Sequence, residues 1–244
     1  MSVKFSFIGG AIRSDLYMRV CESINHGSKV SHEVIFAGFS PPTQKMPNNF
    51  KYIETDASLP FSVEMAARYA VGDFLIITTD DILFSEGYIN RLNYYVSKLG
   101  MEKVLVGGRY KYLNKSSLND DILTMDVNDP RAPITCIGQA FNREVWNKLG
   151  GIGSRFTGVF HDMDMAMRFY EYGYTPFIMP DAFISEDRYL KIPHILYKKT
   201  GKYSKKILDE LWIKDGQYSL KRALPVISIT DEYIKNNIKK IFTY

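Results

Sequence analysis

The chain has 244 residues, 45% hydrophobic and 24% charged, which is the profile of an ordinary globular protein long enough for one large α/β domain. No apolar run reaches the ~18 residues that span a bilayer, and the opening MSVKFSFIGG is too short and too soon broken by glycine for a signal peptide. Cys21 and Cys136 lie far apart without metal-ligand spacing, as free thiols in a reducing cytoplasm would, which argues against a disulfide-stapled secreted fold.

Val3 to Ile8 reads as a buried strand. Leu16, Val20 and Ile24, four residues apart, give the next segment one apolar face, as in a helix. Val34 to Ala37 is a second short strand, and the proline-rich SPPTQKMPNN after it is a loop. Phe50 to Ile53 predicts a third strand, Phe61 to Val71 a helix, and Phe74 to Thr78 a fourth strand. Such alternation argues for parallel strands joined by helical crossovers, with ligands bound beyond the carboxyl ends of the strands. Asp80 and Asp81 follow one such end. Two adjacent like charges need relief by water, a helix terminus or a cation, so the pair is either a cation site or a turn capping a helix over Ser85–Leu99.

From about residue 103 the texture changes. VLVGGRYKYL is β-rich, and KSSLNDDILTMDVNDPRAP is a polar loop. ITCIGQAFNREVWNKLGGIGSRF then reads as a strand, a short helix and a glycine turn. HDMDMAMRFYEYG reads as a helix with Ala166, Phe169 and Gly173 on one side, in which Asp164 and Arg168 form a structural i,i+4 pair. Residues 1–187 carry 18 Lys/Arg against 22 Asp/Glu, while residues 188–244 carry 13 against 5. This basic tail, with Lys198, Lys199, Lys202, Lys205 and Lys206 as its densest cluster, suits either an anionic partner or a solvated face. Its first part, IPHILYKKTGKYSKKILDELW, predicts a helix. In TDEYIKNNIKKIFTY, Ile234, Ile238, Ile241 and Phe242 recur at helical spacing, which predicts a second.

Three stretches, AVGDFLIITTDDILF, GQAFNREVWNKLGGIGSRF and HDMDMAMRFYEYGYTPFIMPDA, taken in this order, resemble the blocks of family 2 of the nucleotide-sugar-dependent glycosyltransferases. The resemblance covers roughly residues 3–185. It implies a GT-A fold, a Rossmann-like, mostly parallel sheet flanked by helices. The catalytic domain would be 1–187 (donor half about 1–100, acceptor half about 101–187), with a basic, mainly helical extension over 188–244 packed on it. It further implies metal-dependent, inverting transfer of a sugar from a nucleoside diphosphate sugar, UDP first among the nucleotides, to a hydroxyl of a glycan, lipid-linked or polymeric acceptor. In this register Asp162 is the catalytic base, and Gly9, Gly10, Arg13, Thr79 and Asp80 bind the donor. Asp80 and Asp81 hold Mn²⁺ or Mg²⁺, and Gly138, Gln139, His161, Glu186 and Asp187 support the site or touch the acceptor, with residues 113–135 as an acceptor-side lid.

The chain also departs from that pattern. Thr78 replaces the first aspartate of D-x-D, and Ala37-Gly38-Phe39-Ser40 stands where Asp-Asp-Gly-Ser is usual. His161 replaces a glutamate, and Ser185 stands where a histidine is common, with Glu186 and Asp187 following. Two other readings therefore stand beside the enzyme: a catalytically silent GT-A-like binding domain, and a glycosyltransferase acting on nucleic acid. The basic tail suits the second of these, with tyrosines at 197, 203 and 218 interleaved. The tail's last helix would equally suit peripheral contact with an anionic membrane.

Overall fold

The computed structural model describes residues 4–100, 102–112, 118–119, 135–186 and 194–244, excepting the side chains of 112, 118–119 and 194–199. Asp187, Lys198 and Lys199 side chains and almost all of the expected lid at 113–135 lie outside that description. In chain order the elements are β1 (Phe5–Gly10), α1 (Tyr17–Asn25), β2 (His32–Gly38), β3 (Phe50–Glu54), α2 (Leu59–Tyr69), β4 (Phe74–Ile77), β5 (Ile82–Phe84), α3 (Tyr88–Leu99), β6 (Val104–Tyr112) and β7 (Leu118–Asn119). They continue with β8 (Ala140–Asn142), α4 (Arg143–Lys148), α5 (His161–Glu171), β9 (Thr175–Glu186), α6 (His194–Trp212), β10 (Ile213–Lys214), β11 (Gln217–Tyr218), α7 (Asp231–Asn237) and β12 (Lys240–Thr243).

One mixed sheet organises the described residues in the order β12-β3-β2-β1-β4-β8-β6-β9-β5, with β7 on β6. Its N-terminal half, β3-β2-β1-β4, is parallel, and β6 and β9 form a second parallel pair. Strands covered on both faces are mostly apolar, and so are β1 and β2, whose buried Ser6 and Glu33 are bonded to each other, with Lys51 on Glu33. Phe5, Phe7, Val34 and Phe36 turn to the face shared with α1 and α3. Ile8, Ile35 and Ala37 alternate to the opposite face, with residues of α2, α4 and α5.

Several boundaries differ from the sequence expectation for physical reasons. The crossover helix α2 starts at Leu59 because Pro60 suits a first helical turn, where its missing N–H costs nothing. Residues 82–84 pair with β9 as a strand, so α3 begins only at Tyr88 and Asp80 and Asp81 do not cap it. The C-terminal helix stops at Asn237, and Lys240–Thr243 becomes β12, antiparallel to β3 with Ile241 opposite Ile53 and Phe242 opposite Tyr52. The outer edge of β3 offers unpaired backbone groups, and pairing with them wins over one more helical turn.

Three buried charges, Arg168, Asp164 and Glu64, fix how the second half sits on the sheet. Arg168 is fully buried. Its Nη1 donates to the carbonyls of Leu149 and Gly151 at 2.7 and 2.6 Å, and its Nη2 to Asp164 Oδ2 at 2.7 Å. The indole of Trp212 donates to the other oxygen of Asp164 at 2.8 Å, tying α6 to α5, while Ile207, Leu208 and Leu211 pack with Phe156 and Met167. From the other side, buried Glu64 of α2 accepts the Trp146 indole and the Ile152 backbone N–H, both at 2.9 Å. Leu149-Gly150-Gly151 is thus gripped at its carbonyls by a cation and beside them by an anion. Gly150 and Gly151 have φ of 88° and 63°, a left-handed path that glycine takes without steric cost.

Removing Arg168 would leave Asp164 buried without a cation. Arg168→Leu is expected to cost about 3–5 kcal/mol, whereas Trp212→Phe, which removes one hydrogen bond to a charged group, should cost about 1.5–3 kcal/mol. Urea denaturation of the two variants and the parent checks both the sizes and the order.

Candidate active site

The ends of β1 and β4 lie side by side, Ile8 opposite Ile77, and the chain segments leaving them converge on Asp80. This carboxylate is almost fully buried. Its Oδ2 accepts the backbone N–H groups of Ile12 and Arg13, both at 2.8 Å, and its Oδ1 accepts Arg13 Nε at 3.0 Å as well as Arg13 Nη2. Asp81 Oδ2 lies 2.9 Å from the same Nη2, and its Oδ1 accepts the Thr79 hydroxyl. Burial alone would lower the Arg13 pKa. The hydrogen bond to Asp80 and the charges of Asp80 and Asp81 outweigh burial, and the net shift is upward.

The cation that relieves the twin aspartates is therefore Arg13. Asp80 and Asp81 were expected to hold Mn²⁺ or Mg²⁺. In this structure four N–H contacts occupy the oxygens of Asp80, and the described residues contain no group of three His, Cys, Asp or Glu with metal-site geometry. A divalent ion needs free carboxylate oxygens, so this donor set does not fit one as it stands.

A cavity of about 290 Å³ opens beside this cluster. Gly10, Arg13, Thr79, Asp80 and Asp81 line it on one side, with Leu59 and Val63 of α2. Val159, Phe160, His161, Asp162 and Met163 line it from the start of α5, and Tyr110 and Glu186 close another side. Asp162 sits half-buried in the first helical turn, where the helix dipole favours an anion, and its carboxylate accepts no hydrogen bond from a described residue. Beneath it, burial first and then the charge of Asp162 raise the Cys136 thiol well above its ordinary pKa. The thiol stays protonated and lies 3.3 Å from the Asp162 carbonyl oxygen, to which it donates. Glu186 accepts the Tyr110 hydroxyl.

Three of the expected residues stand elsewhere. Gly9 lies behind the wall, where an added Cβ would meet the Thr78 carbonyl at 2.5 Å. Gly138 gives its carbonyl to the Tyr88 hydroxyl at 2.7 Å, and Gln139 is buried beneath Gly107, so both support the sheet rather than line the cavity. The absence of a carboxylate at 37 and 38 has a steric cause. Ala37 points into the core, and a Cβ at Gly38 would collide with the Ala11 carbonyl oxygen. Cys136, Tyr110 and Glu64 had no sequence signal, since each becomes meaningful only through a partner distant in the chain.

No protein-family model matches the sequence, and no curated protein matches it. Solved structures do. S. aureus TarS superposes with a TM-score of 0.61 at 12% identity, over 85% of this chain and 40% of TarS. Residues 1–349 of TarS in complex with UDP give 0.58, and in complex with UDP-GlcNAc 0.59, again at 12% identity, with 85% of this chain covered and 66% and 67% of those. The fold is GT-A-like. The chain thus spans two-fifths of the length of TarS and about two-thirds of its 1–349 fragment.

Because Asp80 holds two backbone N–H groups and a guanidinium, its role reaches into the fold. Asp80→Ala is expected to lose on the order of 3 kcal/mol, and the more exposed Asp81→Ala about 1 kcal/mol or less, as read by chemical denaturation. Equal losses would show that the backbone contacts of Asp80 contribute nothing.

Proposed function

We propose that this protein is an inverting glycosyltransferase that moves a sugar from a nucleoside diphosphate sugar, with UDP as the nucleotide, to an acceptor hydroxyl, and that Asp162 is its base. One observation carries the reading: a carboxylate with no described donor, Asp162, lines one cavity with the Arg13–Asp80 cluster at the carboxyl ends of β1 and β4. The fold likeness to a protein crystallised with UDP and UDP-GlcNAc supports the choice of donor.

In the proposed reaction the acceptor oxygen attacks the anomeric carbon on the face opposite the diphosphate. The carbon–oxygen bond to the diphosphate breaks with its electron pair leaving on the nucleotide, and the hydroxyl proton passes to Asp162. The acceptor's remaining body is anionic and rests on the lysines of α6. This helix packs on the cavity-lining turn, since a Cβ at Gly158 would meet Thr200, and Gly201 approaches Val159. Lys202 and Lys206 are exposed there, Lys206 at 3.7 Å from Glu210, while Lys205 pairs with Asp209 and lies over the Tyr218 ring.

The observation favouring a silent binding domain is the closure of the Ala37–Gly38 corner to any carboxylate. The same assay decides. UDP-, GDP-, dTDP- and CMP-sugars are screened by thermal shift and then by consumption, and UDP-GlcNAc is expected to stabilise and to be consumed. Asp162→Asn should keep the thermal shift and lose turnover by at least ~10²-fold. Full turnover in that variant would remove Asp162 from the mechanism, and a wild-type protein that binds but never consumes a donor would establish the silent domain.

A further inference from the structure

We infer that His161 selects the acceptor by taking a hydrogen bond from a second hydroxyl, so that the group entering the cavity is a neutral diol rather than a lone alcohol. This rests on the glycosyltransferase reading above. His161 is 7% exposed and lines the cavity. Its Nδ1 lies 2.9 Å from the Gly158 carbonyl oxygen. A carbonyl only accepts, so Nδ1 carries the proton, and in the neutral ring Nε2 is left as a lone-pair acceptor. No described residue donates to Nε2.

His161 lines the cavity, so Nε2 takes its donor from there, water or a ligand hydroxyl. The other polar groups around the space are mostly acceptors too. Asp80, Asp81, Asp162 and Glu186 line it, against Arg13, which is held by the first two. An anionic oxygen set against His161 Nε2 would meet its lone pair and the neighbouring charge of Asp162. A hydroxyl meets none of these objections, and it displaces water from Nε2 while reproducing its hydrogen bond. The reacting hydroxyl gives its proton to Asp162, and His161, the residue before it in the first turn of α5, lines the same cavity. Two acceptors on one cavity therefore call for two hydroxyls on one acceptor.

The test uses the full chain, the nucleotide sugar it consumes fastest, and 1,2-propanediol against 1-propanol as acceptor probes. The wild type is expected to show a kcat/KM at least roughly tenfold higher for the diol, the worth of one hydrogen bond. His161→Leu should bring that ratio close to one, and His161→Gln, whose side-chain carbonyl also accepts, should keep part of it. A merely structural role lowers both probes together and leaves the ratio unchanged in both variants, which would overturn the proposal. So would a wild-type ratio near one. Nitrogen-15 shifts of the ring give an independent reading: protonation at Nδ1 supports the assignment, and a proton on Nε2 overturns it. A wild-type protein that consumes no nucleotide sugar overturns the glycosyltransferase reading itself, an outcome distinct from a lost diol preference.

Discussion

A guanidinium with no access to water has to be partnered inside the protein, and the place found for Arg168 sets how the glycine turn, α5 and α6 meet. Its partners are two carbonyls of the Leu149–Gly151 turn and the carboxylate of Asp164, which in turn holds the Trp212 indole. Glu64 meets the same turn from α2, so the sheet-covering helix, the glycine turn, α5 and α6 share one charged framework. The framework is not free of cost, since Arg168 Nε has no partner among the described residues. Apolar groups of the same volume would bury as well, but they would leave the rotation of α5 open. Charge pairs fix that rotation, and with it the direction in which Asp162 and His161 face.

The strands and the first crossover helices were readable because their residues report on themselves. An apolar run such as Leu75-Ile76-Ile77 has one comfortable environment, and Leu16, Val20 and Ile24 need only local spacing to define a face. The C-terminal strand was not readable. Ile238, Ile241 and Phe242 satisfy a helical repeat as well as a strand, and the choice depends on β3, almost two hundred residues earlier. The candidate site divides in the same way. Asp162 and the two aspartates stood out by their position after strands or at a helix start. The partner that defines Asp80 did not, because Arg13 lies 67 residues away and only the fold brings it within 3.0 Å. Glu64 is the extreme case: a glutamate on a helix reads as surface, and here it is buried at the centre of a hydrogen-bond cluster.

The departures from the resembled family have different causes. Gly38 is a steric matter, because the end of β2 passes so close to Ala11 that no side chain fits, and Ala37 is a core residue. Ser185 is a sheet residue, buried opposite Leu83 of β5, while its neighbour Glu186 turns to the cavity. His161 belongs to neither class. It is buried, lines the cavity, and keeps one ring nitrogen tied to the backbone so that the other has a defined state. The first two changes are explained by packing, and the third leaves an unused chemical group in the space where chemistry would occur.

Charge gives the remaining link between body and tail. Among the described residues, Asp80, Asp81, Asp162 and Glu186 line the cavity together with one guanidinium, Arg13, which the first two hold. A diphosphate bound there would call for further positive charge. The tail carries 13 Lys/Arg against 5 Asp/Glu, and α6, its lysine-rich helix, packs directly on the 158–160 turn that forms one wall. The same Asp164–Trp212 bond that completes the Arg168 cluster anchors that helix. An acidic body and a basic tail are then not independent features of composition. The buried pair that orients Asp162 also holds the described lysines of α6 against the cavity wall.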